Sequence, residues 1–217
     1  RAKANHDGAF VWADSVAADF ESTADNQFLI RAGSGVGIGL NNPSEALDVE
    51  GSAQVTEGYT YDSPKTYYLQ VPPSAFAPMH SDDNDSIHNN PDGYLAKGDD
   101  GDGEWAGMAP VNLPHGATVR AFRLYYAPIP GATYYCNVDC KLQRRSVSSL
   151  TSTEMAGVRY QFTPATTTIR SLTVTTITDP TVDNELFQYS IHLVWNTLTW
   201  HRFYGVRIEY TMDTVRP

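Results

Sequence analysis

The chain has 217 residues, 41% of them apolar, and a formal net charge of −10, a length that supports one or two domains with a real core. The acidity argues against a phosphate-backbone footprint, which needs clustered Lys and Arg, and against anionic membranes. No apolar run approaches the ~20 residues that cross a bilayer, so neither nucleic acid nor membrane insertion is expected.

Arg1-Ala2-Lys3-Ala4-Asn5-His6-Asp7-Gly8 carries no initiator methionine and no signal-peptide pattern, and reads as the interior of a longer chain. "HDGAFVWAD" and "NQFLIRA" are short strands separated by small polar residues. The first 56 residues are thin in apolar content and bury too little surface by themselves to offset the entropy of ordering them. They need neighbours, either upstream repeats or identical chains around an axis.

Within "NQFLIRAGSGVGIGLNNPSEALDVEG", glycine recurs at every second position: Gly33, Gly35, Gly37 and Gly39. A dinucleotide fingerprint needs a helix directly after its glycines. Here Ile38-Gly39-Leu40-Asn41-Asn42-Pro43 breaks any helix, and no P-loop lysine follows. Alternating glycines on a strand place one bare face toward a neighbour, so another backbone can approach closely. These four glycines are therefore expected at a junction between chains.

From residue 57 onward strand signals dominate. The spacing predicts strands at Thr66–Val71, Glu104–Val111, Ala117–Ala127, Val158–Phe162 and Ile169–Ile177. Tyr134, Cys136, Val138, Cys140 and Leu142 form one apolar face; Phe187, Tyr189, Ile191, Leu193 and Trp195 form another, and Val206, Ile208, Tyr210 and Met212 a third. Seven to nine such strands punctuated by Pro/Gly turns imply a β-sandwich or jelly roll. Four residues of strand separate the two cysteines by roughly 13 Å, beyond disulfide reach, so both are expected as buried free thiols.

The stretch "HSDDNDSIHNNPDGYLAKGDDGDGEW" is acidic and turn-rich. Asp99, Asp100, Asp102 and Glu104 supply hard oxygen ligands of the kind calcium takes from flexible loops. Solvated, turn-forming acidic loops are the plainer reading of the same residues, since the full EF-hand spacing is missing. Long loops are expected at Met79–Leu95 and Lys97–Glu104. Trp105, Tyr94, Trp200 and Tyr204 lie near predicted loops, where flat rings can stack on sugars or a partner. No GxSxG elbow, HExxH or Cys–His nucleophile signature occurs, so no catalytic residue is assigned.

"RAKANHDGAFVWAD" resembles the last repeat of the left-handed β-roll head of trimeric autotransporter adhesins and related phage tail fibres. "NQFLIRAGSGVGIGLNNPSEALDVEG" is similar to the neck that follows such heads, with its "GVGIG–NP–LDV–G" phrase; Leu40 departs from the small polar residue usual there. The resemblance implies a parallel homotrimer, located extracellularly on a cell surface or virion. It covers roughly residues 1–51 and, together with the strand pattern beyond, divides the chain into the end of a β-roll head repeat (1–25), a glycine-rich trimeric neck (26–56) and a β-sandwich head domain (57–217). "APVNLPHGATVRAFRLYY" is similar to a phrase in secreted bacterial β-sandwich domains, and trimeric fibres often end in jelly rolls resembling tumour necrosis factor. The expected function is the distal part of a homotrimeric fibre whose sandwich contacts a receptor or glycan. The alternatives are a carbohydrate-binding module and a trimeric polysaccharide-degrading enzyme.

Overall fold

A computed structural model describes residues 1–79, 87–90, 92–97, 104–128, 136–149, 151–162, 168–197 and 201–215. The chain forms two compact units, Arg1–Glu57 and Gly58–Pro217. Among the described residues there is no α-helix, only one 3-10 turn at Pro73–Ala75.

The first unit holds six short strands: β1 (Ala2–Lys3), β2 (Phe10–Ala13), β3 (Phe20–Glu21), β4 (Phe28–Arg31), β5 (Val36–Ile38) and β6 (Leu47–Val49). They pair in parallel, β1 with β3, β2 with β4 and β5 with β6. Ala2 stands opposite Phe20 and Phe10 opposite Phe28, so the first two ladders share an offset of 18 residues. That is a coil stacked on a coil, each resting on its neighbour. The equivalent positions Gly8 and Asn26 both turn with positive φ, 69° and 60°, a conformation open mainly to Gly and Asn. Asp14 ties the coils together: its carboxylate accepts Arg31 Nε at 3.0 Å and the Gly33 amide at 2.9 Å.

No apolar side chain of this unit is buried; Ser22 alone is. Phe10, Trp12, Phe28 and Ile30 lie 40–68% exposed on one face of the β2–β4 ladder, with the two phenylalanine rings stacked at 4.8 Å.

The glycine strand departs from expectation. β5 covers only Val36–Ile38, so Gly33, Gly35 and Gly39 lie outside it and share no strand face with Gly37. Each glycine has a close neighbour within its own chain. A Cβ at Gly35 would stand 2.3 Å from the Glu45 carbonyl oxygen, and one at Gly37 2.5 Å from that of Leu40. Gly33 faces Asp14 and Gly39 faces Glu50, both at 3.1 Å.

The second unit is a β-sandwich of jelly-roll type. Its strands are β7 (Tyr59–Val71), β8 (Ala77–Pro78), β9 (Ile87–Asn90), β10 (Tyr94–Lys97), β11 (Glu104–Val111), β12 (Thr118–Pro128), β13 (Cys136–Ser146), β14 (Ser152–Phe162), β15 (Arg170–Val174), β16 (Phe187–Thr197) and β17 (His201–Val215). One sheet runs β15-β12-β17-β10-β9, with β7 also paired to β17; the other runs β14-β13-β16-β11-β8. All pairings in both sheets are antiparallel.

The alternating apolar faces close on one core. Phe122 and Leu124 of β12, Leu142 of β13, Ile191 of β16 and Ile208 of β17 are wholly buried, each contributing about 1.5–3 kcal/mol of transfer free energy. Cys140 is a buried free thiol, as expected, and burial pushes its pKa well above the ordinary range. The Cys136 side chain lies outside the described residues. The Met79–Leu95 loop expectation is corrected: β9 and β10 form a hairpin there, Tyr94 pairing with Asn90 across a turn that contains Gly93 at φ 81°.

Candidate functional site

The ring-bearing residues singled out from sequence do not share one fate. Trp105 is a core residue, 3% exposed, on the inward face of β11 with Ala109 and Val111; this corrects its placement at a loop edge. Tyr94 is also buried, at 8%. Asp99, Asp100, Asp102 and Trp200 lie outside the described residues, as does the side chain of Glu104, whose backbone pairs with Asn196 in β11. Among the described residues no three His, Cys, Asp or Glu side chains gather closely enough to hold a metal ion.

Tyr204 and Tyr94 are brought together, with ring centroids 5.6 Å apart. The cause is local. β12 pairs Tyr125 with Gly205 and then Tyr126 with Phe203, so Tyr204 is an extra, unpaired residue in β17. Such a bulge re-aims a side chain. Gly205 permits it, with φ at 106° and no room for a Cβ, which would stand 2.6 Å from the Val71 carbonyl oxygen. Tyr94 packs behind Tyr204, and the Arg202 guanidinium lies 4.7 Å over the Tyr94 ring.

The half-buried Tyr204 ring opens into a cleft of about 380 Å³ lined also by Gln70, Gly93, Tyr125, Ile169 and Arg207. Outward parity explains the company. Phe122, Leu124, Val206 and Ile208 point into the core, so Arg123, Tyr125 and Arg207 point out. Arg207 sits between two rings, 4.9 Å from the centroid of Tyr68 and 5.8 Å from that of Tyr125. Tyr68 itself is 56% exposed. Alternation in β12 and β17 carries the signal for Tyr125 and Arg207, which lie within strands and not beside the loops.

A larger cleft, about 850 Å³, lies on the outer face of the other sheet, where Lys141, His192, Met108 and Ala77 form a row across four strands. Burial, and then the Lys141 ammonium, hold His192 below its ordinary pKa. The tyrosine and phenylalanine rings lining this cleft are already engaged. Tyr189 is 6% exposed and its hydroxyl accepts the Asp183 amide at 2.7 Å; Phe187 is covered by the Arg144 guanidinium at 4.4 Å. The smaller cleft offers the freer aromatic surface.

No protein-family model matches the chain, and no curated protein matches it by sequence. Among solved structures, the chain is similar to the C-terminal CBM6 of LamC, a marine laminarinase from Zobellia galactanivorans, at 12% identity and a TM-score of 0.40, covering 65% of this chain and 98% of that one. It is similar to the CBM22-1 xylan-binding domain of Paenibacillus barcinonensis Xyn10C at 10% identity and TM-score 0.38, covering 76% and 91%. The likeness to the CBM22-1–GH10 modules of Clostridium thermocellum xylanase 10B has 9% identity and TM-score 0.37, with 70% of this chain but only 26% of that chain covered. At these scores the likeness says nothing about which residues of this chain act, or on what.

Proposed function

We propose that the sandwich unit binds carbohydrate without transforming it, at the cleft of Tyr125, Tyr204, Arg207 and Gln70. The observation that carries the reading is the bulge at Tyr204–Gly205. It sets an aromatic ring beside a second tyrosine, a guanidinium and an amide on a rigid sheet. Rings stack on the apolar faces of sugars, and planar polar groups bind their hydroxyls, the combination a sugar site requires. The proposal extends to this chain the ligand class named for the Zobellia and Paenibacillus modules, and it rests on the cleft.

A glycan array probed with the purified chain tests it. Retention of at least one saccharide is expected, weakened about tenfold or more by Tyr125→Ala and by Tyr204→Ala with melting unchanged. Failure to retain any saccharide, or retention indifferent to both substitutions, overturns the reading.

A second element concerns assembly. The first unit is proposed to join three chains of a surface or tail fibre, supported by its lack of any buried apolar side chain and by the exposed Phe10, Trp12, Phe28 and Ile30 face. Three copies of a modest site would then act together through avidity. Light scattering should give three times 23.9 kDa; a clean monomer at micromolar concentration excludes it.

A further inference from the structure

Arg123 and Arg207 are direct partners across β12 and β17. The row continues on both sides, Gln70 beside Arg207 and Thr173 beside Arg123, so four strands present an amide, two guanidinium groups and a hydroxyl in line. Like charges placed directly opposite in a sheet repel. Structural arginines on a surface usually answer this with a carboxylate, and the chain has carboxylates to spare, 25 Asp and Glu against 15 Lys and Arg. Yet among the described residues neither Arg123 nor Arg207 has an ion-pair partner. Glu209, the next outward residue of β17, pairs in register with Tyr68 and Ala121 and forms no ion pair with either arginine.

The rings do not neutralise the charge; they hold it in place. Arg207 is flanked by Tyr68 and Tyr125, which restrict the guanidinium while leaving its N–H edge free to donate. A second fork lies one strand away. Two guanidinium groups at that spacing suit an anion whose oxygens accept from both.

We infer that the saccharide taken by this cleft is acidic, carrying a carboxylate or a sulfate ester that lies across Arg123 and Arg207 while its ring stacks on tyrosine. The inference rests on the carbohydrate reading above and narrows its ligand class. Anion binding removes the repulsion between the arginines, so charge on the sugar strengthens attachment here although the protein as a whole is acidic.

Calorimetric titration of the full chain separates the possibilities with four probes: polygalacturonate, its fully methyl-esterified form, dextran sulfate and uncharged dextran. The first pair differs only in carboxylate charge and the second only in sulfate, so the responding pair identifies the source of the anion. At least one charged probe is expected to bind about tenfold or more tightly than its uncharged counterpart, to weaken as salt is raised, and to lose that advantage in Arg207→Gln and in Arg123→Gln. Thermal melting of each variant checks the fold, and Arg207→Lys serves as a second variant that keeps the charge without the fork. Equal binding of charged and uncharged probes overturns the acidic-ligand inference and leaves the carbohydrate reading standing. Charged-probe binding that falls in the arginine variants but is untouched in both Tyr204→Ala and Tyr125→Ala overturns it too, because the arginines then hold an anion whose sugar ring does not stack in this cleft. No heat with any probe, together with a blank glycan array, removes both.

Discussion

Trp105 and Gly107 face the core from the same side of β11, and the indole occupies the space a side chain at 107 would need. A Cβ there would stand 2.1 Å from the ring's Cη2 atom. Gly107 is therefore part of the packing of Trp105. Gly107→Ala should destabilise the sandwich by about 1–3 kcal/mol through overpacking, and Trp105→Ala by about 3–5 kcal/mol through the cavity it leaves. Urea unfolding followed by far-ultraviolet circular dichroism measures both. A Trp105→Ala variant that melts like the parent would return this residue to the surface.

The stacked Phe10 and Phe28 rings make a different prediction, about assembly. Replacing Phe28 by Ser removes the more exposed of the pair, 68% against 53%. If that face is covered by other copies, the variant should shift the mass from trimer toward monomer as concentration falls. In a chain that stays single, the same substitution at a largely exposed site would change little. Sedimentation velocity across a hundredfold dilution distinguishes the two, and an unchanged distribution argues that another surface joins the chains.

Gly35 tests whether the alternating glycines serve the chain itself. Its φ is 92° and its missing Cβ would collide with the Glu45 carbonyl oxygen, so Gly35→Ala should cost about 1–3 kcal/mol of backbone strain. The loss is expected in the first unit at every protein concentration, seen as faster hydrogen exchange of the Val36 amide, which donates to the Ala46 carbonyl at 3.0 Å. A loss that disappears at high concentration would instead mark a junction between chains.

Much of the sandwich is written in its alternation, and the exceptions have physical causes. β11 and the faces of β13, β16 and β17 follow from apolar residues at every second position, because each strand has one wet side. β7 begins at Tyr59, seven residues before its alternation becomes visible, because "YTYDSPKT" is mostly exposed and carries no core face. β9 and β10 lie in a stretch whose Asp, Asn and Gly content signals turns, and a short hairpin needs only a few apolar residues such as Leu95. Trp105 follows an acidic run and so looked exposed; only its position in phase with Ala109 and Val111 reveals its burial. The pairing of Arg123 with Arg207 lies between a bulge at Arg120 of β12 and one at Tyr204 of β17, a register that no local pattern encodes.

Acid should loosen the first unit. Burial alone would raise the Asp14 pKa, but the Gly33 amide, the Arg31 guanidinium and the Val16 amide outweigh it and leave it lowered. Asp19 is lowered as well, chiefly by its hydrogen bond from Lys3. A carboxylate depressed in the folded state contributes stability above its unfolded pKa and loses it as pH falls through the folded value. The contribution should therefore be intact at neutral pH and fade below roughly pH 4. Hydrogen exchange of the Gly33 amide, read as a function of pH after correction for intrinsic rates, reports it. Asp14→Asn should weaken protection at pH 7 and flatten the acid dependence; an unaltered profile would show that Asp14 is not the responsible group.

Gly205 links fold and site most directly. It is the only glycine of β17, its φ of 106° belongs to the region L side chains avoid, and a Cβ would press on the Val71 carbonyl oxygen at 2.6 Å. Gly205→Ala must either strain the backbone or undo the bulge. Straining it costs about 1–3 kcal/mol. Undoing it moves the register by one residue and turns Tyr204 to the other face of the sheet, since side chains alternate strictly along a strand. The two outcomes are separable. Strain alone lowers the denaturation midpoint and leaves saccharide affinity near that of the parent, whereas loss of the bulge abolishes binding as completely as Tyr204→Ala. The crowding is with backbone, from which the chain cannot retreat by a rotamer change, so the second outcome is expected. Retained affinity in a folded Gly205→Ala protein would show that Tyr204 is held outward by its packing on Tyr94 rather than by the bulge.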